Sequence, residues 1–170
     1  SLSADILITT EKGNLFQQNS SISLCIFNEE TKTKGKLSNI KSSNALVSIL
    51  AAIYANENRF DNALLLNTDN LVIEATDSNI FIMKNNKLFT PPISDGCVDG
   101  TMRRLILKER NVIEKSILIS DIIQADAVFL SNAIKGIIPV KIVSSKKTVK
   151  YETTIAKNLQ EKLISLSLDF

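Results

Sequence analysis

The sequence predicts a mixed α/β domain, and three observations support that fold class. Short runs of apolar and β-branched residues alternate with segments whose apolar residues recur at helical spacing. The strands predicted between residues 63 and 90 follow one another through short turns, so they form a meander rather than a βαβ repeat. With 170 residues, 44% of them hydrophobic, the chain can bury the core of one domain.

Strand and helix signals can be placed along the chain. Strands are predicted at residues 5–9, 22–27, 63–66, 71–76, 79–83, 87–90, 127–130 and 138–143, and helices at 101–109, 120–124 and 154–166. Residues 28–39, rich in Lys, Glu, Thr and Gly, predict a surface loop that leads to Lys41. A second loop, at residues 94–100, contains two glycines and leads into the helix that begins at Thr101.

A further helix is predicted directly after Lys41. It begins at an N-cap on Ser42 or Ser43 and ends near Asn56. Its predicted core-facing residues follow the spacing i, i+3, i+4, i+7: Leu46, Ile49, Leu50 and Ile53. Lys41 is therefore predicted just before a helix N-terminus, where the helix dipole disfavours a cation. That position suits an amine that must be uncharged to attack an aldehyde.

Composition excludes several classes of function. A net charge of +2 from 20 basic and 18 acidic residues gives no indication of a nucleic-acid or membrane partner. The sequence has no His, which excludes Ser-His triads and His-rich metal sites. Cys25 and Cys97 do not form a CxxC pair, so neither a metal site nor a disulfide is predicted. The first residues lack the features of a signal peptide, which makes a cytoplasmic location the expectation.

Two residues could carry chemistry, although each has an ordinary alternative. Glu74 interrupts an apolar strand, and period-two geometry places it on one face with Val72 and Thr76. It faces either solvent, which is the commoner case, or a cationic partner. Lys41 alone is equally compatible with a solvated lysine.

Two segments could bind an anion. Residues 100–103 open a helix after a Gly-containing loop, where backbone N–H groups converge. Residues 131–133 could supply further phosphate donors or form a simple turn.

Six ordered segments together resemble the class-IV aminotransferase family, which includes branched-chain and D-amino-acid aminotransferases and aminodeoxychorismate lyase. The segments are Lys41-Ser42-Ser43-Asn44, Asn62 with residues 63–67, Val72-Ile73-Glu74-Ala75 with Ser78-Asn79-Ile80-Phe81, Thr90-Pro91-Pro92, Gly100-Thr101-Met102-Arg103, and residues 126–133. The resemblance implies the C-terminal domain of the fold-type IV, D-amino-acid aminotransferase-like fold. That domain is a twisted mixed sheet or pseudo-barrel with flanking helices.

The resemblance also implies a role for each matching residue. Lys41 matches the lysine that forms a Schiff base with pyridoxal phosphate (PLP) and moves protons at the substrate Cα. Glu74 matches the acidic partner of the pyridine nitrogen, which keeps that nitrogen protonated so that the ring acts as an electron sink. Further cofactor contacts are implied for Asn79, the motif's asparagine, for Val98 on the ring face, and for Thr101, Met102, Asn132 and Ala133 at the phosphate.

Departures from the aminotransferases favour a lyase. The tyrosine that follows the Schiff-base lysine of the branched-chain enzymes is absent after Lys41. Residues 100–103 stand in place of Gly-Ile-Thr-Arg, and residues 131–133 in place of a Thr-Gly-Thr segment. These variants resemble aminodeoxychorismate lyase, which forms 4-aminobenzoate and pyruvate from 4-amino-4-deoxychorismate. The alternatives are a branched-chain or D-amino-acid aminotransferase, and a non-catalytic domain in which Lys41 and Glu74 are solvated.

The resemblance also bears on domain organisation. Residues 1–170 are expected to form a single domain that corresponds to the family's C-terminal, PLP-binding domain, without its N-terminal domain. The surface between the two domains is then expected to be apolar. A homodimer that acts on a small amino substrate is expected by resemblance.

Overall fold

A computed structural model describes residues 7–10, 20–43, 45–144 and 148–167, with side chains described as far as residue 162. The strands are β1 (Ile22–Lys32), β2 (Asn62–Asn67), β3 (Val72–Ala75), β4 (Asn79–Lys84), β5 (Lys87–Thr90), β6 (Val112–Glu114), β7 (Ala127–Asn132), β8 (Gly136–Ser144) and β9 (Thr148–Lys150). The helices are α1 (Leu46–Glu57), α2 (Thr101–Glu109), α3 (Ile119–Ile123) and α4 (Thr154–Ser167), and a 3-10 turn covers Ile93–Asp95.

Six strands close into a barrel in the order β3-β2-β1-β8-β7-β4, because β4 also pairs with β3. β1 runs parallel to both β2 and β8, and the remaining pairs around the barrel are antiparallel. β5 and β6 extend the sheet from β4, and β9 pairs with β8. The predicted fold class, a mixed sheet forming a pseudo-barrel with flanking helices, is confirmed.

The core has an inner and an outer part. Leu24, Leu64, Ile80, Leu130 and Val140 are fully buried in the cluster that fills the barrel. Alternate residues of the same strands face outward. Outside the barrel, α1 covers one side, and the first turns of α2 and α4 cover a second side around the stacked rings of Phe81 and Phe129.

The N-terminal strand predictions need two corrections. The strand predicted at residues 5–9 lies partly outside the described residues, and Leu7 and Ile8 show no strand and are 89% and 81% exposed. The loop predicted at residues 28–39 was wrong for its first five residues, because β1 continues to Lys32. There the strand ends by pairing with Asn67 after a register shift. Sequence composition misses this extension because the extra residues are polar.

The predicted start and packing face of α1 were also wrong. The N-cap is Ala45 with no side-chain cap, rather than Ser42 or Ser43. The four residues of the predicted core face are between 39% and 64% exposed. Ala51 and Ala55 are buried instead, against Cys25 and Phe27. Small side chains let the helix lie close to the barrel, and hydrophobicity alone cannot choose between two apolar faces of one helix.

Within the described residues, no helix is long and apolar enough to cross a membrane, and no three potential metal ligands cluster together.

The packing face of α1 can be tested by substitution. Ala51→Leu should lower the free energy of unfolding by about 1–3 kcal/mol, because the added atoms have no space against the barrel. Ile53→Gln, on the exposed face, should change it by less than about 0.5 kcal/mol. Urea unfolding of both variants measures the difference. A larger loss for Ile53→Gln would mean that the helix packs through the face predicted from the sequence.

Candidate active site

Three buried polar residues form a row across neighbouring strands. Asn79 of β4 pairs with Glu74 of β3 on one side and with Ser131 of β7 on the other. Directly opposed residues of antiparallel strands place their side chains on the same face. Glu74, Asn79 and Ser131 are 5%, 6% and 1% exposed, so burial requires that polar partners be supplied. We call these three residues the polar row.

The face predicted for Glu74 requires a correction. Val72 packs in the barrel interior, whereas Glu74 opposes Leu65 of β2, which packs in the cluster under α1. The register between β2 and β3 shifts between Leu65 and Leu66, which breaks the strict alternation on which the prediction rested.

Both oxygens of the Glu74 carboxylate have hydrogen-bond donors. Lys32 Nζ lies 2.5 Å from Oε1, and the backbone N–H of Val98 donates to Oε2 at 2.8 Å. Lys32 also donates to the carbonyl of Ser38 at 2.9 Å. The interpretation of Glu74 as a solvent-facing residue was therefore wrong, because the carboxylate is buried with a cationic partner.

Val98 is held through both its backbone N–H and its backbone carbonyl. Its carbonyl accepts a hydrogen bond from Asn79 Nδ2 at 2.7 Å, while its N–H binds Glu74. The Val98 carbonyl also accepts from the N–H of Gly100 at 3.0 Å. A Cβ on Gly100 would lie 2.2 Å from Asn79 Oδ1, so only glycine lets the backbone approach β4 this closely. Two residues of the polar row thus fix the loop that leads into α2.

Lys41 is carried by a loop that contacts the same segment. Asn39, two residues earlier, donates through Nδ2 to the carbonyls of Ile93 and Cys97 at 2.6 and 2.8 Å. Its own carbonyl accepts from the N–H of Asp99 at 3.2 Å. The side chain of Lys41 is exposed, and α1 begins only at Leu46. The predicted effect of the helix dipole on Lys41 therefore does not apply, since it fades beyond the first turn.

The N-terminus of α2 has no side-chain cap, which leaves its first backbone N–H groups available to an anion. Thr101 is exposed, whereas Met102 is 5% exposed and packs with Phe81 and Phe129, so only its backbone can face a ligand. Arg103 is buried and donates to the Pro91 carbonyl at 2.9 Å, and it also pairs with Glu114. Its guanidinium therefore anchors the helix rather than the ligand.

Asn132 and Ala133 lie at the end of β7, beside the polar row. Asn132 Oδ1 accepts hydrogen bonds from the N–H groups of Ile134 and Lys135 at 2.9 and 2.8 Å, which closes the turn to β8. Ala133, within that turn, is exposed.

Asp77 supports the adjacent turn between β3 and β4. Burial opposes its ionisation, but hydrogen bonds from Ser78 and Asn62 and the charge of Lys135 lower the pKa of Asp77. This keeps a negative charge on the β3–β4 turn at neutral pH.

The structure thus brings some of the residues predicted from the sequence into direct contact and places others on neighbouring loops. Glu74, Asn79 and Val98 are in direct contact, and Thr101 follows within three residues of Val98. Lys41 and Asn132 reach the region on neighbouring loops. Lys32 and Asn39 were missed, because both fall in a segment that the sequence predicts as a surface loop.

The closed mixed barrel, with a buried carboxylate under a loop that leads into a helix N-terminus, is the architecture expected of fold-type IV enzymes. The chain belongs to the class-IV aminotransferase family, since the family model described as amino-transferase class IV matches residues 3–143. Enzymes of this family use PLP. The family, fold and cofactor implied by the sequence motifs are therefore confirmed at the level of the family.

Individual relatives carry two different activities in their names. A protein of Methanocaldococcus jannaschii, provisionally assigned as a branched-chain-amino-acid aminotransferase, is 34% identical over 133 residues, 72% of this chain and 45% of the relative. The aminodeoxychorismate lyase of Vibrio harveyi is 33% identical over 110 residues, 62% of this chain and 41% of that protein. The chain thus spans less than half the length of either relative.

A solved structure supports the assignment to the class-IV aminotransferase family. A Legionella pneumophila protein, provisionally assigned as 4-amino-4-deoxychorismate lyase, is 31% identical to this chain with a TM-score of 0.79. The match covers 93% of this chain and 59% of that structure.

The contact between Gly100 and Asn79 can be tested with a double-mutant cycle. Gly100→Ala should lower the free energy of unfolding by about 1–3 kcal/mol, because its Cβ collides with the Asn79 amide. The same change made in an Asn79→Ala background should cost at least about 1 kcal/mol less, since the colliding group has been removed. Urea unfolding of the four proteins gives the coupling. Additive effects would show that the two residues do not touch.

Two buried thiols predict how stability falls at high pH. Burial raises the pKa of the Cys25 and Cys97 thiols to about 11. Between about pH 9 and 11 the unfolded chain loses thiol protons that the folded chain keeps, so stability should fall as pH rises through that window. Each thiol should contribute up to about 2 kcal/mol, measured by urea unfolding at several pH values. The double variant Cys25→Ala, Cys97→Ala serves as the control, and an unchanged slope in it would rule out this cause.

Proposed function

We propose that this chain forms the PLP-binding part of an enzyme similar to aminodeoxychorismate lyase, which releases 4-aminobenzoate and pyruvate from 4-amino-4-deoxychorismate. The observation that carries the proposal is the buried Glu74 carboxylate, oriented by Lys32 and Val98. The lyase-like sequences at residues 41–44, 100–103 and 132–133 favour that reaction over transamination.

The residues present fit PLP. A buried carboxylate is the partner that a protonated pyridine nitrogen requires, and the uncapped start of α2 suits a phosphate. Lys41 supplies an accessible amine on the adjacent loop. PLP, when bound, supplies an electron sink for the bond broken at the substrate carbon.

Each residue of the candidate site then has a defined role. Glu74 holds the proton on the ring nitrogen, and Lys41 binds the cofactor and carries a proton to and from the substrate carbon. Asn79 holds the Val98 backbone in place. The side chain of Val98 then packs against the ring. The backbones of Thr101 and Met102, together with Asn132 and Ala133, bind the phosphate.

A branched-chain or D-amino-acid aminotransferase is the second candidate. It is favoured by the 34% identical relative, which matches a longer part of this chain than the lyase of Vibrio harveyi does. Both reactions use the same cofactor-holding residues. A homodimer, a role in folate synthesis and a cytoplasmic location are expected from the family and form part of the same proposal. A non-catalytic domain remains the third interpretation, and it predicts that PLP does not bind.

Cofactor attachment provides the first test. The protein mixed with PLP should develop a visible absorbance band, and borohydride should fix the cofactor to Lys41, as located by peptide mass spectrometry. Lys41→Ala should lose the covalent product, while Glu74→Gln should keep it but lose roughly 100-fold or more in turnover. Lys32 serves as an internal comparison, because it is the amine beside Glu74. A product on Lys32, or one that survives in Lys41→Ala, would overturn the assignment of Lys41.

The reaction is tested separately on the PLP-loaded protein. We expect 4-aminobenzoate to form from 4-amino-4-deoxychorismate, and we expect branched-chain and D-amino acids to leave the cofactor spectrum unchanged. If no 4-aminobenzoate forms and an amino acid changes the cofactor spectrum, the protein is an aminotransferase. Failure of all these substrates, with PLP still fixed at Lys41, would contradict both activities.

A further inference from the structure

Lys32 occupies a position that the sequence motifs do not explain. It is the last residue of β1, and its backbone pairs in register with Asn67 of β2. Its side chain crosses β2 and places Nζ 2.5 Å from Glu74 Oε1 on β3. The contact therefore depends on the extension of β1 beyond its apolar part.

The ion pair is largely removed from solvent. The Lys32 side chain is 18% exposed and that of Glu74 is 7% exposed, so the attraction is screened less than in a surface pair. The exposed pair of Lys34, two residues after Lys32, and Asp69, in the turn between β2 and β3, provides the contrast, with side chains that are 37% and 56% exposed.

The contacts of Lys32 also fix the direction of the carboxylate. The ammonium donates both to Glu74 and to the Ser38 carbonyl at 2.9 Å, which ties β3 to the loop that leads to Lys41. With Val98 bound to Oε2, the carboxylate has one donor on each oxygen and cannot rotate without losing one of them. The remaining lone pairs of the two oxygens are available for a further donor.

We propose that Lys32 is a positioning residue, which orients the Glu74 carboxylate toward the ring nitrogen of PLP and sets how strongly the bound cofactor holds its protons. This rests on the proposed function, because it assumes that Glu74 faces the ring nitrogen. In this proposal Lys32 acts through Glu74, to which its ammonium donates.

The charge of Lys32 has a consequence distinct from its packing. Arg103, Glu74, Lys32 and Asp95 all act electrostatically on Cys97, so these groups share one neighbourhood. A cation in that neighbourhood disfavours any additional proton on the cofactor. Removing it should therefore raise the pH at which the visible band of bound PLP changes.

The test compares Lys32→Met, Lys32→Arg and Lys34→Met. Lys32→Met should weaken PLP binding by about tenfold and raise the pH midpoint of the visible band by about one unit. Lys32→Arg, which keeps the charge, should keep the wild-type midpoint. Lys34→Met removes a lysine two residues away that pairs with Asp69, and both properties should stay unchanged.

The possible outcomes separate the two proposals. If Lys32→Met weakens binding or stability but leaves the midpoint unchanged, Lys32 is only structural and the inference is overturned. If the wild-type protein forms no borohydride-fixed product at Lys41, the proposed function fails and the inference fails with it. Lys32→Met leaves a buried carboxylate without its cation, which could prevent folding. In that case Lys32→Gln, which keeps a hydrogen-bond donor, carries the same test.

Discussion

The pairing of Glu74 with Asn79 is the contact on which the rest of the molecule depends. It is the register pair that joins β3 to β4 and so closes the six-stranded barrel. The same pair places two polar side chains next to each other, in line with Ser131 on the following strand. Because opposed residues share a face, the strand pairing that closes the barrel also aligns these polar side chains. A shift of one residue between β3 and β4 would turn the side chains of the displaced strand to the other face, so Glu74 and Asn79 would no longer lie side by side.

Burial then determines which partners the aligned residues need. A carboxylate removed from water must be paired, and Lys32 and the Val98 N–H supply that pairing for Glu74. Asn79 binds the Val98 carbonyl, so the loop that supplies one donor is itself held by the neighbouring residue of the row. The loop in turn leads into the start of α2, where no side chain caps the first backbone N–H groups. The pairing of the buried carboxylate and the position of the loop therefore depend on the same few hydrogen bonds.

Much of this could be predicted from the sequence, and the failures have physical causes. The meander, α2, α4 and the family motifs were found because alternation, helical period and motif order are local signals. The packing face of α1 was missed because the helix has two apolar faces, and Ala51 and Ala55 pack closer than the larger residues. Lys32 was missed because its contact with Glu74 joins residues that are 42 positions apart, in a segment whose composition resembles a loop.

The same geometry explains why the fold is shared by lyases and aminotransferases. Under the proposed function, the polar row and Val98 act on the ring of the cofactor, and the start of α2 acts on its phosphate. Both reactions begin by loss of a proton or a bond at the substrate carbon with charge passed into the ring, so both need these contacts equally. Under the same proposal, discrimination between the two reactions therefore comes from groups other than Glu74 and Lys32. Variants of Glu74 or Lys32 should accordingly weaken whichever reaction the protein performs, without converting one reaction into the other.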